Sequence, residues 1–195
     1  MNNTITEDVK ILKTECIISN DDKYNEEVAT KLLNTLNETK SGIGLSCNQI
    51  SVTDARVCVI NVKEPIVLIN PKIVETSEET FVFPEGCLSF PNKHIRTTRF
   101  VEVTVEADNH EGQLSFSADS EDVNDAFECA CVQHEIAHLD GLTMFDREWK
   151  QQPIRVEKKI GRNEKVTITD GTETKILKYK KAQPLLESDW SLVEA

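Results

Sequence analysis

Gln133-His134-Glu135-Ile136-Ala137-His138-Leu139-Asp140-Gly141 is the stretch from which the rest of the chain can be read. It contains His-Glu-x-x-His. On a helix each residue advances by about 100°, so His134 and His138 project from one face, a turn apart. That is the reach two imidazoles need to hold one metal ion. Glu135 sits beside the pair, where it can touch a water at such an ion without being a ligand. The chain has only four histidines, and two of them falling into this pattern weighs against an ordinary surface helix.

Working outward, the helix carrying these residues is expected to run from Val123 to Leu139, with Asp122 as its cap. Before it, Val101, Val103 and Val105 alternate with Glu102, Thr104 and Glu106, the pattern of a half-buried strand. A turn over 108–112 leads to a second strand at 114–118. Short β-branched runs at 56–61 and 66–69, parted by Lys63-Glu64-Pro65, read as strands, as does 75–83. Residues 25–40 read as a helix after an extended start. Val28, Leu32 and Leu36 recur at i+4, and Leu33 widens the stripe. Glycines 42 and 44 are expected to end that helix in a left-handed cap and turn. The fold expected is α+β, antiparallel strands wrapped around one central helix that carries the His-Glu-x-x-His residues. Past Pro153 the texture changes: 165–169 and 172–179 flank Asp170-Gly171, the signal of a two-residue hairpin. The expected division is a main domain at 1–153 and a C-terminal hairpin-and-tail extension at 154–195.

A length of 195 residues is ample for a real core. The net charge of −12 speaks against a nucleic-acid-binding role for the whole surface. The charge is uneven, because 154–181 carries nine Lys/Arg against four Asp/Glu. The N-terminus shows neither a basic region nor an apolar run of the secretory type, and no stretch has the apolar length of a membrane span. A cytoplasmic protein is expected, bacterial or, if virus-encoded, in the host cytoplasm. Its six cysteines are then expected to be reduced, as core residues or ligands.

Two histidines do not complete a zinc-type site, which needs a third protein ligand and one open position. Glu148 and Glu157 lie downstream, where the commonest metalloproteases keep that ligand. Upstream stands Pro84-Glu85-Gly86-Cys87-Leu88-Ser89-Phe90-Pro91, where a thiolate beside a glycine is a good ligand for a divalent cation. The residues alone leave this choice open. Cys129 and Cys131 lie about 200° apart on a helix and cannot converge; Cys131 reads as a pocket or core residue. Cys47 reads as buried packing, and His94 and His110 as surface or loop residues.

Three stretches together resemble one family. Gly42-Ile43-Gly44-Leu45-Ser46-Cys47-Asn48-Gln49 is similar to the motif Gly-x-Gly-Leu-Ala-Ala-x-Gln of the peptide deformylases. Glu85-Gly86-Cys87-Leu88-Ser89 and Gln133-His134-Glu135-x-x-His138 match that family's second and third motifs, in the same order. The likeness covers roughly residues 5–150, so 1–153 is expected to be the catalytic domain. It departs at Ser46-Cys47-Asn48, a change expected to bear on the substrate groove. It departs again at Ala137, where the family often has an aspartate that supports a ligand.

The resemblance implies that Cys87, His134 and His138 hold one divalent ion, ferrous iron by the family pattern, with nickel, cobalt or zinc as substitutes. It implies an N-formylmethionyl peptide as substrate and formate as product. Glu135 would act as general base and then general acid, and the Gln49 side chain and Leu88 backbone N–H would receive the charge on the formyl oxygen. By position, Phe83, Phe127 and Ala130 resemble the methionine pocket, and Ile43 and Gly44 the edge that pairs with the peptide backbone. The basic segment 154–181 is expected to reach ribosomal RNA, and the protein to be a monomer without a membrane contact. Two other classes compete, a metalloendopeptidase and a deformylase-like scaffold that binds without turnover; the intact Gln49, Cys87, Glu135 and histidine pair argue against the scaffold.

Overall fold

The computed structural model describes residues 4–150 and 160–193. In it Asp8 and Asp21 each open a helix by accepting a backbone N–H of the first turn. The first helix, α1 (Val9–Leu12), interrupts what the sequence presents as an extended start. The second, α2 (Asp22–Asn37), buries Val28, Leu32 and Leu36, the i+4 stripe. It ends at Glu38 in right-handed backbone, and neither Gly42 nor Gly44 is among the glycines of positive φ. The expected left-handed glycine cap is therefore absent, and these glycines serve close approach instead. A Cβ on Gly42 would lie 2.7 Å from Leu36 Cδ1 and 2.8 Å from Leu88 Cδ1.

β1 (Gly44–Ser46), β2 (Val57–Asn61) and β3 (Pro65–Ile69) form an antiparallel sheet in that order, with β1 at its edge. A 3₁₀ turn, Cys47–Ile50, follows β1. β4 (Lys72–Thr76) pairs with β7 (Glu102–Glu106), which pairs with β8 (Gln113–Ser117). Between them runs a two-stranded ribbon, β5 (Thr80–Cys87) against β6 (Phe90–Phe100). The single strand expected over 75–83 is thus two strands in two sheets. They part at Ser77, whose N–H donates to Glu102 C=O at 2.9 Å and whose hydroxyl oxygen accepts from Glu102 N–H at 3.0 Å.

α3 (Val123–Leu139) runs against β1, β2 and β8. Asp122 caps it through Asn124 N–H, and every residue from Cys129 to Leu139 is buried. A helix end buried on all faces has no polar side to give to water, so its Gln133, His134, Glu135 and His138 must find partners in the protein. Gln133 finds them on β6, accepting from Phe100 N–H and donating to Phe100 C=O, both at 2.9 Å. The core joins α2, the β1–β3 sheet, β7 and α3, with Leu32, Leu45, Val57, Leu68, Val105 and Leu139 at its centre. Cys16 and Cys47 meet there with their sulfurs 3.5 Å apart, both as free thiols.

The described residues divide after Lys150 into two units. In the second, β9 (Lys165–Thr169) pairs with β10 (Thr174–Lys178) on one side and β11 (Ser191–Leu192) on the other. Helix α4 (Tyr179–Leu186) lies between β10 and β11 in the chain, where the sequence reads as tail. Residues 154–159, the start of the expected extension, lie outside the described residues. The hairpin loop has four residues, not two, since Thr169 pairs with Thr174.

The cause is Asp170. Its Oδ1 accepts from Glu173 N–H at 2.8 Å, Thr172 N–H at 2.9 Å and Thr172 Oγ1–H at 2.8 Å, and Gly171 supplies a φ of 89°. The Glu173 and Thr172 amides hold the Asp170 pKa at about 2. A carboxyl whose pKa is depressed on folding contributes stability above its unfolded value of about 3.9 and loses it as pH falls through the folded value. The Asp170 carboxyl resonance should therefore titrate near pH 2, with the loop signals weakening over the same range. Asp170→Ala should show the weakened loop already at neutral pH.

Candidate metal centre

His134 and His138 stand one turn apart on α3 with ring centroids 4.8 Å apart. Cys87 reaches them from the end of β5. The register shift at Gly86/Cys87 turns the strand, and Leu88-Ser89 carries the chain round to Phe90, the partner of Cys87. Cys87 Sγ lies 3.3 Å from His138 Nε2, and one donor atom from each of the three residues lies within 4.8 Å of the others. Two imidazoles and a thiol make a donor set suited to a divalent transition metal, with a fourth position left over. Glu148, the other third-ligand candidate described, is exposed and pairs its backbone with Thr97; Glu157 lies outside the described residues.

The first histidine is held from behind. His134 Nδ1 bonds Glu85 Oε2 at 2.9 Å, and Arg99 clasps the same carboxylate with Nε at 2.6 Å and Nη2 at 2.8 Å. Glu85 is 7% exposed and Arg99 3%. Burial alone would raise the Glu85 pKa, but the Arg99 and His134 hydrogen bonds prevail and hold it at about 2. Burial likewise opposes a charge on His134, and hydrogen bonds to Cys87 and Glu85 overcome it, raising its pKa to about 10. Burial and the neighbouring His134 charge push His138 well below the ordinary histidine value. A cation bound at the pair would compete with protons for the same ring nitrogens. Neither Glu85 nor Arg99 is singled out by the sequence. Their signal is a charged side chain in each arm of a ribbon flanking the Cys87 turn.

Glu135, 3% exposed, points into the same space. Burial raises its carboxyl above the ordinary carboxylate range, against the His134 charge and a hydrogen bond from Ser46. Gln49, on the 3₁₀ turn, accepts from Ser46 N–H through Oε1 at 2.9 Å. Its Nε2 is thereby turned to Ser89 Oγ at 3.2 Å and Cys87 Sγ at 3.5 Å. Asn48 Nδ2 donates to His138 C=O at 2.6 Å, tying the turn to the end of α3.

A cavity of about 510 Å³ opens over these groups, and Ile43, Gly44, Gln49, Phe83, Cys87, Leu88, Phe127, Ala130, His134 and Glu135 all line it. Phe83 and Phe127 meet edge to face at 5.0 Å. Every site residue read from the sequence except His138, which is fully buried beneath, reaches this cavity. Ser46, Cys47 and Asn48 do not line it. Their departure from the family motif, expected to bear on the groove, acts behind it: Ser46 and Asn48 contact α3, and Cys47 contacts Cys16. Cys131 does line the cavity and donates to Ile43 C=O at 3.4 Å. His94, expected on a surface or loop, lies on β6 opposite Gly86 and borders the cavity.

The family model described as polypeptide deformylase matches residues 2–153. The peptide deformylase of Natranaerobius thermophilus is 40% identical over 146 residues, 73% of this chain and 88% of that protein. That of Hamiltonella defensa is 33% identical over 163 residues, 82% of this chain and 91% of the relative. Among solved structures, the peptide deformylase of Thermotoga maritima shares the fold, with a TM-score of 0.67 at 24% identity over 77% of this chain and 99% of that one.

Glu85→Ala should leave Arg99 buried without its partner and His134 without its orienting group. The expected cost is ~3–5 kcal/mol of stability and a metal affinity lower by about 10–100-fold. Thermal unfolding of the metal-free protein reads the first and chelator competition the second.

Proposed function

The chain belongs to the polypeptide deformylase family, and from that premise we propose that Cys87, His134 and His138 hold its metal ion while Glu135, Gln49 and the Leu88 backbone N–H carry the reaction. The activity of the protein is the metal-dependent hydrolysis that removes the N-formyl group from the starting methionine of new polypeptides, with release of formate. The observation that supports the assignment of roles is the meeting of three donor atoms within 4.8 Å beside a buried carboxyl and a buried amide on one cavity.

The native ion in this reading is ferrous iron, with nickel, cobalt or zinc as substitutes that the same thiolate and imidazole donors accept. When bound, such an ion supplies Lewis acidity toward a water and the formyl oxygen. The chain's own groups do the rest. Glu135, its pKa raised by burial, takes the proton of the attacking water and returns it to the departing amide nitrogen. Gln49 Nε2 and the Leu88 N–H donate to the formyl oxygen as charge develops there. Gln49 is ready for this because Ser46 N–H occupies its other end.

The methionine side chain enters between Phe83, Phe127 and Ala130. β1 is the edge strand of its sheet, so the peptide backbone can pair along Ile43 and Gly44 without its sequence being read. That suits an enzyme acting on many nascent chains in the cytoplasm. No described helix is long and apolar enough to cross a membrane. The catalytic domain in this reading is 1–153, acting as a monomer, and 154–195 is an extension. We assign the basic segment 154–181 to ribosomal RNA; in its described part Arg162, Lys165, Lys178, Lys180 and Lys181 are exposed.

The test is formate release from formyl-Met-Ala-Ser by protein kept anaerobic with ferrous iron. The wild type should turn over. Glu135→Ala should lose about 10²–10⁴-fold in kcat, and Gln49→Ala about 10²–10³-fold. Failure to release formate by protein holding one metal ion, or cleavage of unformylated internal peptide bonds, would overturn the reading. For the extension, deleting 154–195 should weaken ribosome binding at low salt while leaving tripeptide turnover intact. Undiminished binding by the truncated chain would sink that assignment.

A further inference from the structure

β1 alternates. Leu45 is fully buried on the core side, and Gly44 and Ser46, two residues apart, share the opposite face toward Glu135 of α3. A Cβ on Gly44 would lie 2.6 Å from Glu135 Oε1, so only glycine leaves room for that carboxylate oxygen beside the cavity. The other oxygen, Oε2, lies 2.5 Å from Ser46 Oγ. Ser46 is fully buried. Its hydroxyl has one proton and three acceptors in range: Glu135 Oε2, Gln49 Oε1 at 3.2 Å and Glu135 C=O at 3.3 Å. The Glu135 side-chain oxygen is much the nearest, so it receives the proton. The Ser46 N–H meanwhile donates to Gln49 Oε1 at 2.9 Å.

We propose that Ser46 is a positioning residue for the reaction: its hydroxyl holds one oxygen of Glu135 so that the other is turned to the cavity, while its backbone N–H fixes which end of Gln49 faces it. This rests on the roles given above to Glu135 and Gln49. Those two groups come from different elements, α3 and the 3₁₀ turn, and Ser46 is the residue that bonds both side chains. The family motif usually has alanine here, so the serine refines a base that can work without it. Its loss should slow the chemical step and leave peptide binding alone, because Ser46 does not line the cavity.

The experiment measures formate release from formyl-Met-Ala-Ser over a range of concentrations by full-length, iron-loaded wild type, Ser46→Ala, Ser46→Cys, Glu135→Ala and the Ser46→Ala/Glu135→Ala double variant. Metal content is checked for each. Ser46→Ala should lower kcat by about tenfold, equivalent to ~1.4 kcal/mol, with KM within about twofold of wild type. The double variant should be no slower than Glu135→Ala alone, because the serine acts through that carboxylate. Ser46→Cys, close in size and a weak donor, should fall between wild type and Ser46→Ala. It carries the test by its own fall in kcat at constant KM if the alanine variant fails to fold or to hold metal. An unchanged kcat in Ser46→Ala, a raised KM at constant kcat, or an equal loss from Ser46→Ala in the Glu135→Ala background would each overturn the proposal while leaving the deformylase reading in place. Full activity of Glu135→Ala would instead overturn that reading, and the proposal with it.

Discussion

A carboxylate taken out of water must be met by hydrogen bonds or opposite charge, and Glu85 is met by both. Arg99 grips it from β6, and His134 bonds it from α3. This one group ties the ribbon that delivers Cys87 to the helix that delivers both histidines. The three donor atoms come from elements that share no strand pairing, so their convergence depends on side-chain ties of this kind. Gln133 adds a second tie between the same partners through the backbone of Phe100.

The same logic extends along the buried half of α3. Each polar side chain there is bound by a different neighbour: Gln133 by β6, His134 by Glu85, Glu135 by Ser46 of β1. The His138 carbonyl is bound by Asn48 of the 3₁₀ turn. His138 Nδ1 has no hydrogen-bond partner among the described residues, and its ring faces Cys87 through Nε2. On the helix side of the site, Gln133, His134 and Glu135 are therefore each oriented by a different strand. Such a frame keeps rotamers fixed before substrate arrives, the condition for electrostatic stabilisation without reorganisation. Glycine at 44 belongs to it, since any larger residue would collide with the Glu135 carboxylate.

The departures from the family motif take on a definite meaning in this frame. Ser46 and Asn48, where the family pattern has alanine and a variable residue, both reach α3 and support groups of the site from behind. Ala137, where an aspartate is frequent, is buried; nearby, Glu85 bonds the His134 ring and Asn48 the His138 carbonyl. The variation leaves the cavity wall alone and changes how the groups behind it are held.

The amino-acid sequence by itself determined the helix of the two histidines and its cap, because helical spacing and capping are local rules that need no partner. It likewise determined α2 from its apolar stripe and β7 from strict alternation, and three motifs in series indicated the family. It could not choose among Cys87, Glu148 and Glu157 as third ligand from the residues alone, because that choice depends on which distant segment is brought to α3. It also missed β6. Pro91 to Arg99 offers few apolar residues, and the positions of β6 that do alternate into the interior, Thr97 and Arg99, are polar, so burial leaves no apolar alternation in the sequence. The loop at Asp170-Gly171 came out longer than the dipeptide implies because the Asp170 side chain captured the Thr172 and Glu173 amides. Glu85, Arg99 and Ser46 gained their places only on folding. A buried charge or hydroxyl is read from its partners, and tertiary structure alone decided what those partners are.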